Sequence, residues 1–317
     1  MQTVPTTDLA LAESRVSDSD NTKGGSILQR LNAYYELTKP GITRMVVLSG
    51  AAGYYLGIPE TLQYFSVSSN IVNFLLAMFG IAFVSSGSCV LNNYAERDFD
   101  KLMRRTMQRP IPSGAVQPKA ALLFGVMLAI LGVAMLVPVN ILTSVLAVLT
   151  LVLYVYVYTP LKRKTLLSLM IGGIPGALPA LGGWTAATGT VEIESLLLFI
   201  LMFMWQMPHF LALSWMYKQD YKRGRYEVLA VRDQTGKHVA TQTLLFVILL
   251  IPATLALAFV QKTGIVYLVG TSVLCATFLY YSFQFLRSTT VVNARKVLLS
   301  SYLYLVGTFT MIFVDKL

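Results

Sequence analysis

Charge is what this sequence has least of. Of its 317 residues only 13% are charged while 55% are hydrophobic, and the mean hydropathy is +0.63; a soluble domain carries about 25% charged side chains. That shortage excludes an ordinary water-soluble globule and leaves a polytopic membrane protein. Cysteine is nearly missing as well. Cys89 and Cys275 lie far apart inside apolar runs, so neither a disulfide framework nor a thiolate metal site is spelled out. The first 24 residues have no apolar core of the kind a cleavable signal peptide needs. The bases of this region, Arg15, Lys23 and Arg30, are sparse and interspersed with Asp8, Glu13, Asp18 and Asp20, so an organelle transit peptide is not the expected reading and a mitochondrial inner membrane stays the lesser alternative to a bacterial one. Residues 1–29 are therefore expected to form a disordered cytoplasmic tail, followed by a transmembrane domain over 30–317.

Apolar stretches of about 20 residues are what the chain has in abundance. Nine candidate spans follow, at roughly 42–59, 71–93, 119–137, 141–158, 166–187, 195–217, 240–261, 264–286 and 295–314. Only Pro138 to Asn140 separate the third from the fourth, which predicts an antiparallel pair with a tight turn. The fifth, with Pro175, Pro179 and five glycines in its middle, should be kinked and closely approached by neighbours. With the N-terminus inside, 23 of the 25 Lys and Arg residues fall on the inner face, leaving Lys262 and Lys316 outside. The net charge of +10 is thus a topology signal; nucleic acid is not expected as a partner. The C-terminus is expected outside, and the inner face is where polar chemistry concentrates.

The most informative stretch is NNYAERDFDKLMRRTMQRPIPSG, Asn92 to Gly114. Asn92, Glu96 and Asp100 fall at i, i+4 and i+8, which stacks three oxygen-bearing side chains on one helix face about 6 Å apart per step. Acids followed by bases at this spacing can be no more than a solvated face. These acids, however, issue directly from an apolar run, where ionisable groups are costly and mark function. Oxygen ligands of this kind suit Mg²⁺, which is held jointly by carboxylates and substrate phosphates. Arg97, Lys101, Arg104, Arg105 and Arg109 nearby supply positive charge for phosphate. A diphosphate is the ligand this combination predicts.

Two further inner segments share that character. YTPLKRKT places Tyr158 at a span end, with Lys162, Arg163 and Lys164 at the membrane surface. WQMPHFLALSWMYKQDYKRGRYE sets Trp205, Gln206, Pro208 and His209 inside a span, then Asp220 and Tyr221 after it. Asp220 follows its span end as Asp100 does and is the natural second carboxylate of a metal cluster. An intramembrane His is often only a helix-to-helix hydrogen bond, so a substrate role for His209 stays open beside that reading.

Taken together, ELTKP at Glu36 to Pro40, NNYAERDFDKLMRRT, RPIPSG, YTPLKRKT, GGIPGALPALGGW at Gly172 to Trp184, and WQMPHF followed by Asp220-Tyr221 resemble the UbiA superfamily of intramembrane prenyltransferases. Within it they are most similar to the protohaem IX farnesyltransferase, or haem O synthase, branch, over about residues 30–315. The resemblance implies an all-α, UbiA-like fold of nine transmembrane helices around a central cavity. It implies Mg²⁺-dependent transfer of a farnesyl group from farnesyl diphosphate to a vinyl group of protohaem IX. By the same resemblance Asn92, Glu96, Asp100 and Asp220 would hold the metal. Arg97, Lys101, Arg105, Arg109, Lys162 and Arg163 would hold the diphosphate. Tyr158, Trp205, Gln206, His209 and Tyr221 would meet haem or prenyl chain, with Trp184, Phe210 and Trp215 as further aromatic lining and His209 as an orienting group or iron ligand. A bacterial inner membrane, and a haem A synthase as downstream partner, complete what it implies.

The match has departures. Glu96 stands where the family has Asp, Gly224 sits four after Asp220 in place of a second acid, and Gly41 occupies a position where a base is common. Two other readings remain: prenylation of an aromatic acid or quinone precursor, against which WQMPHF argues, and a polytopic transporter of an anionic lipid. Transporters place ionisable groups near the midplane, whereas here the acids sit at one face.

Overall fold

The computed structural model describes residues 26–260 and 262–316, and among these there is no strand ladder, only helices and connecting turns. Most of the predicted 1–29 tail lies outside the described residues, but Ile27–Leu37 is already helical. In chain order the helices are α1 (Ile27–Leu37), α2 (Pro40–Gly57), α3 (Thr61–Phe65), α4 (Ser68–Asp100), α5 (Pro118–Leu136) and α6 (Ile141–Leu161). They continue as α7 (Ser168–Thr188), α8 (Ile193–Met216), α9 (Lys218–Arg223), α10 (Leu229–Arg232), α11 (Lys237–Phe259), α12 (Ile265–Arg287) and α13 (Val291–Val314).

Local chemistry sets the ends. Ser26 and Gln29 form a capping box that starts α1, and Pro40 and Pro118 stand where a missing N–H costs nothing, at the first turns of α2 and α5. The turn after α5 closes on Asn140, whose Oδ1 accepts the Thr143 N–H at 2.8 Å to cap α6. Asp315 Oδ2 accepts the Tyr267 N–H at 2.7 Å at the first turn of α12, and Lys316 Nζ donates to the carbonyls of Tyr55, Ile58 and Pro59 at the end of α2.

Each of the nine predicted spans coincides with a long helix. Seven of those helices are long and apolar enough to cross a membrane; α2 and α7 are not among the seven. In α7 the glycines and two prolines lower the hydropathy, and in α2 the glycines are joined by Arg44 and the tyrosines. What the glycines provide is close packing. α2 lies against α7, and a side chain at Gly53 would collide with the Ala180 carbonyl, as one at Gly183 would with the Gly50 carbonyl. Large aromatics fill the other half of the core: Tyr267, Phe278, Phe285 and Tyr304 are fully buried. Outward faces such as Leu123, Ile130, Leu245, Val273 and Leu303 are exposed and apolar, as lipid contact requires.

One irregularity matters for the site. Within α6, residues Leu153–Tyr158 widen into a π-helical turn, a deviation that concentrates at functional sites. Thr159 Oγ1 donates to the Tyr154 carbonyl at 2.8 Å within that widened turn.

Candidate active site

The oxygen ladder expected of α4 is present at the inner end of that helix, and every rung is occupied by a cation from elsewhere. Asn92 Oδ1 accepts from Lys39 Nζ at 2.8 Å, Glu96 Oε1 from Lys162 Nζ at 2.9 Å, and Asp100 Oδ2 from Arg109 Nη1 at 2.8 Å. Asn92 and Asp100 are fully buried and Glu96 nearly so. The turns after α4 bring Arg109 back: Thr106 Oγ1 donates to the Asp100 carbonyl at 2.9 Å, which folds the chain onto the helix end. Asn92 Nδ2 donates to Thr159 Oγ1 at 3.0 Å and so ties the ladder to the widened turn of α6. Asp100 Oδ1 is buried with no hydrogen-bond partner.

Lys39 was passed over in reading the sequence, which looked for a base at Gly41. Its backbone is left-handed, φ 48° and ψ 63°, an uncommon conformation for a side-chain-bearing residue that costs energy and clusters at functional sites. Burial and the nearby Arg109 and Lys162 charges pull its ammonium down to about 8. Burial is the largest influence on the Lys162 ammonium and pulls its pKa down, but the Glu96 carboxylate together with Tyr158, Tyr154 and Tyr226 more than offsets it and holds that pKa well above the ordinary range. Lys162 also sits over the Tyr158 ring, 4.4 Å from its centroid.

Asp220 adjoins the ladder through the loop that follows it. Its two oxygens accept the backbone N–H groups of Arg104 and Arg105 at 3.2 and 3.3 Å, and Arg223 Nη1 at 3.0 Å. The carboxylate therefore clasps the loop between Asp100 and Arg109. Among the described residues no group of three His, Cys, Asp or Glu gathers as a metal cluster, so the four predicted ligands divide into a ladder of three and a clasp. The ladder fits a hard divalent cation: its donors are oxygens on one helix face, and Asp100 Oδ1 is a buried oxygen with nothing bound to it.

The predicted phosphate-binding cations divide as well. Arg109 and Lys162 are on the ladder. Arg97 turns back onto Tyr94, donating to its carbonyl at 2.7 Å, and Lys101 faces Asp98 at 3.4 Å. Arg105 lies over Tyr217 and Arg163 over Phe99, at 5.2 and 4.1 Å from the ring centroids.

Below the ladder a cavity of about 280 Å³ opens into the bundle. Lys39, Lys162, Tyr221 and Tyr226 rim it, Tyr154, Tyr158, Gln206 and Phe210 form its upper wall, and Leu136, Thr143 and Leu146 close its floor. Tyr158 and Thr143 stand fifteen residues apart on α6, so the cavity reaches about 22 Å down that helix. Glycines make the room: a Cβ at Gly172 would strike the Tyr158 ring, and one at Gly176 the Gln206 amide. Gln206 Nε2 donates to the Gly173 carbonyl at 2.7 Å.

Trp205 and His209 face the other way. Trp205 Nε1 donates to the Ser301 carbonyl at 2.7 Å, His209 Nδ1 pairs with Ser301 Oγ at 2.8 Å, and Tyr302 meets the imidazole edge-on at 4.9 Å between centroids. Neither belongs to the cavity wall. Trp184 is buried near Lys262, and Trp215 donates to the Thr289 carbonyl at 2.9 Å, so neither of these lines it. Tyr154 on the wall and Tyr226 at the rim are residues that the sequence reading missed; for Tyr154 the aromatic run LYVYVY before the basic triplet was the available signal.

A helical membrane protein with a cation-and-carboxylate rim over a deep apolar chamber is the class this architecture defines. Residues 47–306 match the UbiA prenyltransferase family. A protoheme IX farnesyltransferase of Solibacter usitatus is 39% identical over 286 residues, covering 89% of this chain and 98% of that protein. One of Salinibacter ruber is 42% identical over 283 residues, with the same 89% and 98% coverage. In fold the chain is similar to a solved structure of a digeranylgeranylglyceryl phosphate synthase, with a TM-score of 0.73 and 20% identity over 90% of this chain and 98% of that one. It is also similar to a UbiA homologue from Archaeoglobus fulgidus bound to GPP and Mg²⁺, with a TM-score of 0.59 and 15% identity over 89% and 99%. The chain belongs to the UbiA prenyltransferase family and is a prenyltransferase.

Proposed function

We propose that this chain transfers the farnesyl group of farnesyl diphosphate to a vinyl carbon of protohaem IX, with diphosphate leaving and water adding to the resulting carbocation with loss of a proton, giving haem O. The observation that carries the reading is the junction of a charged ladder with a long apolar chamber at Lys39 and Lys162. An amphiphile with an anionic head and a linear hydrocarbon tail matches both parts, and curated relatives named protoheme IX farnesyltransferase over nearly their whole length support haem as the acceptor.

Asn92, Glu96 and Asp100 would hold Mg²⁺, with Lys39, Lys162 and Arg109 on the diphosphate oxygens. The metal would neutralise the leaving group's charge, worth several kcal/mol of barrier in a water-excluded site. Asp220 keeps the Arg104–Arg105 loop seated, and Arg105, Arg163, Arg97 and Lys101 supply the outer positive field. Tyr154 and Tyr158 turn electron-rich faces toward the developing allylic cation, and Gln206, Phe210, Tyr221 and Tyr226 shape the chamber. Trp205 and His209 fix α8 to α13 through Ser301, so His209 acts on the acceptor side by positioning the helix. The protein would sit in a bacterial inner membrane with its N-terminus in the cytoplasm, its product passing to a haem A synthase.

The test is a reaction of purified protein with haem, farnesyl diphosphate and Mg²⁺, followed by the mass of the extracted porphyrin. The expected product gains one farnesyl group and one hydroxyl. Unmodified haem beside a prenylated 4-hydroxybenzoate in a parallel reaction would reassign the acceptor.

A further inference from the structure

Thr159 is buried where the widened turn of α6 meets the ladder of α4. Its hydroxyl carries one proton and two lone pairs. The proton is committed to the Tyr154 carbonyl at 2.8 Å, which also takes the Thr159 N–H across the π-helical turn. Only a lone pair is left to face α4, and it accepts from Asn92 Nδ2 at 3.0 Å. An amide that gives its NH₂ to one side must turn its oxygen to the other, and there Asn92 Oδ1 accepts from Lys39 Nζ at 2.8 Å. The widened turn is what delivers the hydroxyl, because one extra residue in a turn rotates everything beyond it by about 100° relative to an uninterrupted α-helix.

From this chain of donors we infer that Thr159 is a positioning residue for prenyl transfer, one that sets which atom Asn92 presents to the ladder without itself meeting metal or substrate. The inference rests on the proposed reading of Asn92, Glu96 and Asp100 as metal-holding oxygens, and it adds a residue to that reading. Asn92 is the one rung that is not symmetric. Glu96 and Asp100 offer oxygen whichever way their carboxylates rotate, whereas a half-turn of the Asn92 amide exchanges an acceptor for two N–H donors. Asn92 is fully buried, so a flipped amide would set those donors against the Lys39 ammonium and against a divalent ion in a site of low dielectric. A hydroxyl with a free proton would not prevent the flip, since it donates to an amide oxygen as readily as it accepts from an NH₂. The Tyr154 carbonyl removes that freedom by taking the proton, and the orientation of Asn92 follows.

Thr159→Val keeps the branched shape of the side chain and removes the hydroxyl, while Thr159→Ser keeps the hydroxyl; Thr159→Ala replaces the first variant should it fail to fold. Mn²⁺ titrated into the full-length protein in detergent, followed by electron paramagnetic resonance, reads the ladder without turnover. Thr159→Val should bind Mn²⁺ about ten-fold more weakly than the parent, the scale of one lost buried hydrogen bond, and Thr159→Ser should bind it like the parent. With Asn92→Asp both terminal atoms of that rung are oxygens, so adding Thr159→Val to it should cost no further Mn²⁺ affinity. Prenyl transfer by Thr159→Val should fall at low Mg²⁺ and return at saturating Mg²⁺, a change in metal requirement that a general loosening of the helix would not give. Mn²⁺ affinity that is unchanged in Thr159→Val, equally weakened in Thr159→Ser, or weakened to the same extent with and without Asn92→Asp overturns the inference and leaves prenyl transfer to haem standing. The expected Mn²⁺ pattern in a protein that gives no haem adduct supports it while refuting the acceptor proposed above.

Discussion

Lys162 and Glu96 are 66 residues apart in sequence and 2.9 Å apart in space, and that pair joins the end of α6 to the ladder of α4. Removing one partner strands a shielded charge, which costs about 3–5 kcal/mol. Lys162→Met should therefore lower the melting temperature in detergent as well as activity. The double variant Lys162→Met with Glu96→Leu should regain most of the stability and none of the activity; melting curves beside turnover separate the two effects.

Asp100→Asn keeps the size of the side chain and its contact with Arg109 but removes the charge. Loss of a preorganised electrostatic contact of this kind lowers rates by about 10²–10³-fold. The expected outcome is a variant that inserts and elutes like the parent on size exclusion, with prenyl transfer reduced by that factor.

Asp220 accepts the amides of Arg104 and Arg105, and hydrogen bonds to a charged acceptor contribute about 1.5–3 kcal/mol each. Asp220→Ala should raise hydrogen–deuterium exchange at those two amides by about ten-fold or more, leaving exchange in α12 and α13 unchanged. Unaltered exchange in the 101–109 loop would return Asp220 to the role of a metal ligand alone.

Asp233 tests the electrostatics of the inner loops away from the ladder. Burial alone would raise its pKa, but the N–H groups of Val239, Gly236 and Thr235 and the Thr235 hydroxyl hold it below the usual carboxylate range. A depressed pKa gives stability that is complete above the unfolded value, about 3.9, and is lost as pH falls through the folded one. Asp233→Asn should thus lower the melting temperature at pH 7, and the gap from the parent should close as pH drops below about 4.

Much of the site was legible because it is local. Asn92, Glu96 and Asp100 share a face by helical periodicity alone, and the apolar runs fall on long helices among the described residues, seven of them long and apolar enough to cross a membrane. The direction of a side chain around its helix was harder to read. Trp205 and His209 are on the same helix as Gln206, yet only Gln206 faces the chamber. The packing of α8 against α7, α11 and α13 chose that rotation, and a helix apolar on nearly every side has no amphipathic signal to announce it. Lys39 was missed for a related reason: a base before a helix-starting proline reads as a topology signal until its left-handed backbone aims it at Asn92.

By itself the sequence determined the membrane class, the helical spacing of the oxygen ladder and the supply of bases around it, since each follows from composition or from a repeat within one helix. Only the tertiary structure decided which base meets which oxygen, that Asp220 clasps a loop, and which aromatics line the chamber. Apart from Arg109 on Asp100, nine residues apart, those outcomes depend on contacts between segments 53 to 116 residues apart. They are set by where glycines let helices approach and by the need to leave no shielded charge without a partner, conditions that exist only once the bundle has closed.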